Sequence, residues 1–226
     1  MLGIITALPI EARSFGQRFA VKKIFHLDAQ KILFVSGMGK EHAEQAAHHL
    51  VEYGAKSLLS FGTAGALAPY LKAGDIIIPN KIITNDETFN LDLKWQAELV
   101  YSAYYAGRVF QQALFHTPTI IQNSSCKQKL LQTTGAIAAD METGAIAAIA
   151  EQYKIPMACI RVITDPAHFS LPQLAAQALS WDGKLNWRIL FKNLTQYPHQ
   201  WLDILRLAQF FRQSKYSLNQ LAKIVA

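Results

Sequence analysis

The stretch KILFVSGMGKEHAEQAAHHLVEYGAKSLLSF, residues 31–61, contains two apolar runs separated by a helical pattern. Lys31–Ser36 and Ser57–Phe61 are short and apolar, which is typical of buried strands. The segment between them repeats apolar residues at the spacing of one helical face: Ala43, Ala46, Ala47, Leu50 and Val51. Gly54 can end this helix with a positive φ. Such a unit of strand, helix and strand favours a parallel sheet covered on both faces.

The same alternation continues on both sides of this unit. Apolar runs predict further strands at Leu2–Leu8, Asp75–Pro79, Thr119–Gln122, Ala136–Ala139 and Met157–Ile163. Helices are predicted over residues 91–115 and over Asp140–Tyr153, and the second should be buried because it is apolar nearly all round. We predict an α/β fold with three α/β/α layers around a central twisted sheet, which is mixed but mostly parallel.

The C-terminal segment, residues 184–226, has a different pattern. Three helical faces carry large apolar residues: Trp187, Leu190, Phe191 and Leu194; then Trp201, Ile204, Leu205, Ala208 and Phe211; then Leu218, Leu221, Ala222 and Val225. This pattern predicts three short amphipathic helices. We therefore predict a catalytic α/β domain over residues 1–183 and a helical extension over residues 184–226.

The positive charge of the protein lies in this extension. Of the 22 Lys+Arg and 16 Asp+Glu residues, residues 184–226 hold 7 and 1, which leaves 15 of each for residues 1–183. A neutral domain argues against a chain-wide nucleic-acid surface, and no nucleic-acid partner is expected. Two interpretations of the extension remain open: its helices pack on their own domain or a partner subunit, or they make peripheral contact with a membrane.

Composition narrows the class of protein further. Hydrophobic residues make up 51% of the chain and charged residues 17%, which excludes intrinsic disorder. Cys126 and Cys159 lack the spacing of a zinc or redox motif, so we expect reduced thiols and a cytoplasmic protein. The apolar start of the chain carries no basic region and is interrupted at Glu11, so neither a secretory signal nor a membrane span is expected.

Polar and glycine-rich groups follow five of the predicted strands. They are Pro9-Ile10-Glu11-Ala12-Arg13, Ser36-Gly37-Met38-Gly39-Lys40, Phe61-Gly62-Thr63-Ala64-Gly65, Asp140-Met141-Glu142-Thr143-Gly144 and Thr164-Asp165-Pro166. Ligands of open α/β sheets bind beyond the carboxyl ends of the strands, so these groups should meet in one crevice. Each group alone is equally compatible with turn or helix-start chemistry.

The usual cofactor signals are missing from these groups. Gly37-Met38-Gly39 lacks the third glycine of a dinucleotide fingerprint, and Gly39-Lys40 lacks the upstream glycine of a Walker A loop. His42, His48 and His49 do not have the spacing of metal ligands. We therefore predict neither a cofactor nor a metal.

Taken together, the motifs resemble a known superfamily. In order they are Gly3-Ile4-Ile5-x-Ala7 with Glu11, Ser36-Gly37-Met38-Gly39-Lys40, Gly62-Thr63-Ala64-Gly65-Ala66-Leu67, Lys72-Ala73-Gly74-Asp75-Ile76-Ile77, Asp140-Met141-Glu142 and Arg161-Val162-Ile163-Thr164-Asp165. This order is similar to that of the nucleoside phosphorylases and nucleosidases, in particular the methylthioadenosine/S-adenosylhomocysteine nucleosidases. The resemblance covers about residues 1–170 and implies cleavage of a purine N-glycosidic bond.

That reaction builds positive charge on the ribose and negative charge on the departing base, so it needs a proton donor near the purine and carboxylates near the sugar. The resemblance assigns Asp165 as the donor to purine N7, and a carboxyl in a dry crevice keeps its proton more readily. It implies that Glu142 holds the ribose hydroxyls, with Met141 against the sugar, and that Glu11 orients or deprotonates the attacking water.

The resemblance also implies a wider set of substrate-binding residues. Thr63, Ala64 and Gly65 would line the sugar side of the crevice, and Gly37 would lie beside it. The segment that contacts the base in the family does not align here, and we predict that Ser124 in Asn123-Ser124-Ser125 makes this contact. Phosphate remains open as a co-substrate, with Arg13 and Thr63 as its ligands, although Glu11 is typical of the hydrolytic enzymes.

The extension and Asp165-Pro166-Ala167 resemble the hopanoid-associated phosphorylase branch, which is linked to removal of adenine from adenosylhopane, a membrane lipid. The substrate is then a small or lipid-linked purine nucleoside, and relatives of this kind imply a homodimer or larger assembly. Two alternatives stay open: a methylthioadenosine/S-adenosylhomocysteine nucleosidase, and a non-catalytic module that binds membrane or nucleic acid through its basic extension.

Overall fold

The computed structural model describes residues 1–171, 180–183 and 201–225. Its strands are β1 (Leu2–Thr6), β2 (Ile24–His26), β3 (Lys31–Val35), β4 (Ser57–Ala66), β5 (Ile76–Ile77), β6 (Lys81–Ile83), β7 (Thr88–Asn90), β8 (Val109–Phe110), β9 (Leu114–His116), β10 (Ala138–Asp140) and β11 (Met157–Asp165). Its helices are α1 (Pro9–Ala12), followed by a 3₁₀ turn (Arg13–Phe15), α2 (Lys40–Glu52), α3 (Leu93–Ala103), α4 (Ser124–Thr134), α5 (Thr143–Gln152) and α6 (Trp201–Val225).

The strands form one mixed sheet around β4. The order β2-β3-β1-β4-β10-β9-β6-β7 runs across it, and β11 pairs with β4 and β5 off this path. β1 is parallel to β3 and β4, and β11 runs parallel to β4 from Met157, opposite Leu58, to Ile163, opposite Ala64. The pairs β2 with β3, β4 with β10, β5 with β11 and β6 with β7 are antiparallel. The prediction of a mixed, mostly parallel sheet is confirmed.

Helices cover both faces of the sheet. On one face α2 and α5 bury Leu50 and Ile149 in a cluster that also contains Ile5 of β1. On the other face α3 and α6 bury Leu99 and Leu221 in a cluster with Ile4, the neighbouring residue of the same strand. Consecutive residues of a strand point to opposite faces, so one apolar strand contributes to both clusters. The three-layer α/β/α prediction is therefore confirmed.

The unit over residues 31–61 folds as predicted. α2 buries Ala43, Ala46, Ala47 and Leu50 against the sheet. Gly54 follows α2 with a φ of 111°, a conformation that costs a glycine little. The strands on either side of α2, β3 and β4, are both parallel to β1, so their carboxyl ends lie at the same edge of the sheet.

Two predictions between residues 91 and 122 are wrong. Thr119–Gln122 is not a strand; β9 lies earlier, and the Thr117 hydroxyl donates to the Thr119 carbonyl (2.8 Å), which turns the chain away from the sheet. The predicted helix over residues 91–115 exists only as α3. Val109 and Phe110 pair with β5 instead, because strand pairing there outweighs local helix propensity.

The extension is also only partly as predicted. The faces around Trp201–Phe211 and Leu218–Val225 belong to one helix, α6, because no glycine or proline interrupts residues 201–225. The predicted helix around Trp187 lies outside the described residues, and the domain boundary at residue 184 stays a prediction. No helix in the described ranges is long and apolar enough to cross a membrane.

The second half of α6 packs on the α/β domain. Leu218 and Leu221 are buried, the Ser214 hydroxyl donates to the Ile163 carbonyl (2.7 Å), and the Ser217 hydroxyl donates to the Gly74 carbonyl (2.8 Å). Of the two interpretations of the extension, packing on its own domain describes this half.

Candidate active site

A cavity of about 960 Å³ lies beyond the carboxyl ends of β1, β4 and β11. Its lining includes residues from four of the five predicted groups, and Lys127 adds a second cation to that of Arg13: Arg13, Thr63, Gly65, Asp140, Glu142, Thr164, Asp165 and Lys127. Met141 and Ala64 also line it. The structure thus brings together most of the predicted site residues, because strands that run in the same direction end at the same edge of the sheet.

Glu11 lies beneath one wall of this cavity. Its Oε2 accepts hydrogen bonds from the N–H groups of Ala7 (3.1 Å) and Leu8 (3.0 Å), and its Oε1 accepts from the N–H (2.8 Å) and hydroxyl (2.7 Å) of Thr63. A Cβ at Gly62 would lie 2.8 Å from Oε1, so a glycine is needed at that position. Glu11 reaches the cavity through Thr63, which lines it.

The acid–base strength of Glu11 follows from its surroundings. Burial raises the pKa of the Glu11 carboxyl, although the positive charge of Arg161 and the Thr63 hydroxyl act in the opposite direction. A carboxylate with a raised pKa is a stronger base than an ordinary one. The structure therefore supplies a base directly behind Thr63.

Glu142 is the residue before the first turn of α5. Its Oε1 accepts a hydrogen bond from the N–H of Gly39 (2.7 Å), which joins the loops after β3 and β10. Burial, together with the negative charge of Asp140, raises the pKa of Glu142 to about 8. Glu142 therefore lies in the cavity as a carboxyl that gives up its proton only near neutral or basic pH.

Asp140, close to Glu142 in the chain, forms a buried ion pair with Arg161. Arg161 donates to it through Nε (2.7 Å), and the Thr143 hydroxyl and N–H donate to it as well. Burial alone would raise the pKa of Asp140, but the charge of Arg161 and the hydrogen bonds from His116 and Thr143 together outweigh burial and lower this pKa to about 2. Arg161 also donates to the Ser60 hydroxyl (2.7 Å), so this buried ion pair links β4, β10 and β11 below the cavity.

Asp165, at the end of β11, has a partner that the sequence did not reveal. The ammonium of Lys127 donates to its Oδ2 at 2.5 Å, and the Thr164 hydroxyl donates to its Oδ1 at 3.0 Å. A Cβ at Gly65 would lie 3.2 Å from Oδ2, so glycine leaves room for this carboxyl. The hydrogen-bond partner of Asp165 in the cavity is thus the Lys127 ammonium, and the role of Asp165 as proton donor stays a prediction.

Two predicted site residues lie away from the cavity. Trp181 packs over Gly37, where a Cβ would come within 2.7 Å of the indole. Ser124 begins α4, and its N–H donates to the Ser170 hydroxyl (3.3 Å). Within the described part of the chain, neither residue belongs to the cavity lining. Lys127, three residues after Ser124 in α4, does line the cavity, and the contact of Ser124 with the base stays a prediction.

A signal for Lys127 was present in the sequence. Lys127, Leu130, Leu131 and Thr134 recur at helical spacing, so the lysine lies on the apolar face of α4. A lysine on the buried face of a helix is uncommon unless it is paired. Its partner belongs to a strand 38 residues away and could be identified only from the fold.

The outer part of the cavity is apolar. Residues from the first loop, from the segment before α4 and from α6 line it: Leu8, Pro9, Ile10, Phe19, Val21, Ile120, Ile121, Leu171, Ile204, Leu207, Ala208 and Phe211. The cavity therefore has a polar inner end at the strands and a long apolar outer end against α6.

The model of the Phosphorylase superfamily matches residues 3–180. Over 158 residues the chain is 29% identical to the 5'-methylthioadenosine/S-adenosylhomocysteine nucleosidase of Buchnera aphidicola subsp. Acyrthosiphon pisum (strain APS), a match that covers 59% of this chain and 66% of that relative. It is 27% identical to a DeoD-type purine nucleoside phosphorylase of Shewanella denitrificans, over 58% of this chain and 61% of that protein.

The fold is similar to solved structures over nearly its whole length. The 5'-methylthioadenosine/S-adenosylhomocysteine nucleosidase from Neisseria meningitidis, in complex with methylthio-immucillin-A, superposes with a TM-score of 0.70 at 20% identity. This superposition covers 99% of this chain and 97% of that one. At this identity the likeness establishes the fold.

Proposed function

This chain belongs to the Phosphorylase superfamily, and we propose that it is an enzyme that cleaves the N-glycosidic bond of a purine nucleoside, with adenine as the departing base. One observation carries the proposal. Asp165 at the end of β11, Glu142 before α5 and, through Thr63, Glu11 of α1 meet at one cavity. The relatives at 27–29% identity are named as nucleosidases and phosphorylases that act on purine nucleosides.

The roles follow from where charge develops during bond cleavage. Electrons of the N9–C1′ bond move into the purine, so the base needs a proton, which we assign to Asp165. The ribose becomes cationic, and Glu142 with Met141 at the polar end of the cavity suits the ribose hydroxyls and ring. Positive charge that develops on the sugar favours ionisation of Glu142, and the carboxylate in turn stabilises that charge, because opposite charges attract strongly in a site of low dielectric.

We propose water as the nucleophile. The Thr63 hydroxyl donates to Glu11, so the lone pairs of its oxygen are free to accept a hydrogen bond from a water in the cavity. Glu11 lies behind that hydroxyl as the base that takes the water's proton. Phosphate is the alternative nucleophile, supported by the exposed Arg13 beside Thr63 in the same cavity.

For the substrate we propose adenosylhopane, an adenosyl-bearing membrane lipid. The support is the size and polarity of the cavity: about 960 Å³ lies at the upper end of the roughly 300–1,000 Å³ of small-molecule sites, and its outer half is apolar. The alternative, methylthioadenosine or S-adenosylhomocysteine, is supported by the named relatives.

A lipid-linked substrate also gives the first half of α6 a role. Trp201, Leu202 and Leu205 are exposed by 47%, 66% and 62%, on the helix whose other side lines the cavity. We propose that this face makes peripheral contact with a membrane surface. Binding of the full chain to anionic vesicles, weakened in Leu202→Glu, tests this contact. The assembly as a homodimer or larger remains a prediction, which light scattering tests.

Adenine release is the direct test of the function. The purified chain is incubated with adenosylhopane, methylthioadenosine or S-adenosylhomocysteine, and free adenine is measured by chromatography with and without phosphate. Without phosphate we expect adenine and the substituted ribose of each substrate, with a hydroxyl at C1′. We expect a loss of about a hundredfold or more in Asp165→Asn, since general-acid catalysis contributes roughly 10²–10⁴-fold. Asp86→Asn, in an exposed loop, is the control. Full activity in Asp165→Asn, or vesicle binding without any glycosidic activity, would contradict the proposal.

A further inference from the structure

Lys127 is among the most buried side chains of the protein, with an exposure of 1%. Its Nζ donates to Oδ2 of Asp165 (2.5 Å) and to the carbonyls of Pro166 (3.1 Å) and Phe169 (3.0 Å). An ammonium has three donors, and here each has an acceptor.

Burying an ion pair is costly, and apolar residues of similar volume often stabilise a fold as well or better. Lys127 therefore needs an explanation beyond stability. It lines the cavity beside Asp165, the carboxyl placed at the purine, and it belongs to α4, which otherwise contributes no group to the polar end. An anchor for residues 166–169 would need only the two carbonyl bonds.

Resting on the proposed function, we propose that Lys127 is the positioning residue that supplies Asp165 with the proton delivered to the departing purine. As the N9–C1′ bond breaks, its electron pair moves into the purine ring. Asp165 then gives a proton from Oδ2 to N7, and that proton comes from the Lys127 ammonium, which becomes a neutral amine. As the water oxygen bonds to C1′, the water passes a proton to the Thr63 oxygen while the Thr63 hydroxyl passes its own proton to Glu11. Exchange with solvent then returns a proton to Lys127 and removes one from Glu11.

This role makes the importance of Lys127 depend on the leaving group. Adenine needs a proton to depart, whereas 4-nitrophenolate departs from 4-nitrophenyl β-ribofuranoside as a stable anion. Replacing a residue that only anchors the loop would slow the reactions of both substrates equally. Replacing a residue that supplies the proton slows adenine release alone.

The test compares both substrates in Lys127→Gln, whose amide can still donate two hydrogen bonds to the Pro166 and Phe169 carbonyls. Lys127→Met, which fills the same volume, is the second variant, and Lys129→Gln on the exposed side of α4 is the matched control. We expect kcat for adenine release to fall about a hundredfold or more in both Lys127 variants, and nitrophenolate release to change less than about threefold. The loss should not increase further when Asp165→Asn is added to Lys127→Gln, because both changes remove the same proton transfer.

Equal losses on the two substrates, or full adenine release in either Lys127 variant, would overturn the role of Lys127 while leaving the proposed function intact. A wild-type protein that releases base from no nucleoside would overturn the proposed function itself.

Discussion

Replacing Glu142 by glutamine should stabilise the folded protein, and the gain should grow as the pH rises. Glutamine keeps the shape of the side chain and an oxygen that can accept the Gly39 N–H, but it has no proton to lose. The wild-type carboxyl has an ordinary pKa of 4.5 in the unfolded chain and a pKa raised to about 8 in the folded one. Folding therefore opposes its ionisation.

The sign and size of this difference in unfolding free energy follow from proton linkage. Between these two pKa values the folded state binds more protons than the unfolded state, so stability falls as the pH rises, and it levels off above the folded pKa. Each pKa unit corresponds to about 1.4 kcal/mol, so Glu142→Gln should exceed the wild type by roughly 1 kcal/mol at pH 5 and roughly 4 kcal/mol at pH 8. In a chain of this size the difference at pH 8 corresponds to about 10 °C in Tm.

Urea unfolding at pH 5 and pH 8 measures both differences. Glu151→Gln, exposed at the other end of α5, is the matched control and should show no such growth with pH. A gain in Glu142→Gln that is the same at both pH values would refute the reasoning, because it would separate the stability change from the titration of this carboxyl. The same variant should lose adenine release, since the neutral amide cannot stabilise a cationic ribose.

Three further changes test other parts of the site. Gly62→Ala should cost about 1–3 kcal/mol of unfolding free energy in urea and should slow hydrolysis, because its Cβ would lie 2.8 Å from Glu11; an unchanged rate would show that Glu11 need not hold this position. A thiol reagent should label Cys126 in the native protein and Cys159 only in denaturant, since burial raises the pKa of Cys159 to about 11; rapid native labelling of both would contradict this. Ala208→Trp should narrow the apolar end of the cavity and reduce adenine release from adenosylhopane at least tenfold more than from methylthioadenosine; equal losses on both would argue against a substrate that lies along α6.

Much of the fold could be predicted because its local patterns and its tertiary contacts agree. In residues 31–61 the spacing of the apolar residues is that of strand, helix and strand, in agreement with the elements that form, and α2 ends just before Gly54. The convergence of Thr63, Glu142 and Asp165 was predictable for a related reason. Strands joined by crossover helices run in the same direction, so the residues that follow them meet at one edge.

The failures occur where local and tertiary preferences disagree. Residues 109–110 have a helical pattern but pair with β5, and Thr119–Gln122 is apolar but turns away to line the cavity. Ser124 does not line the cavity, whereas Lys127 of the same helix does. A helix rotates 100° with each residue, so the side chain that reaches the cavity depends on how α4 docks.

The sequence by itself determined the order of strands and helices, the family to which the chain belongs and the carboxylates that meet at the strand ends, because these depend on periodicity and on motifs within short segments. Only the tertiary structure decided the surroundings of those carboxylates. Lys127 lies 2.5 Å from Asp165, whereas Glu142 is buried beside Asp140. The physical reason is that desolvation and charge act through space, between residues that the chain brings together only when it folds.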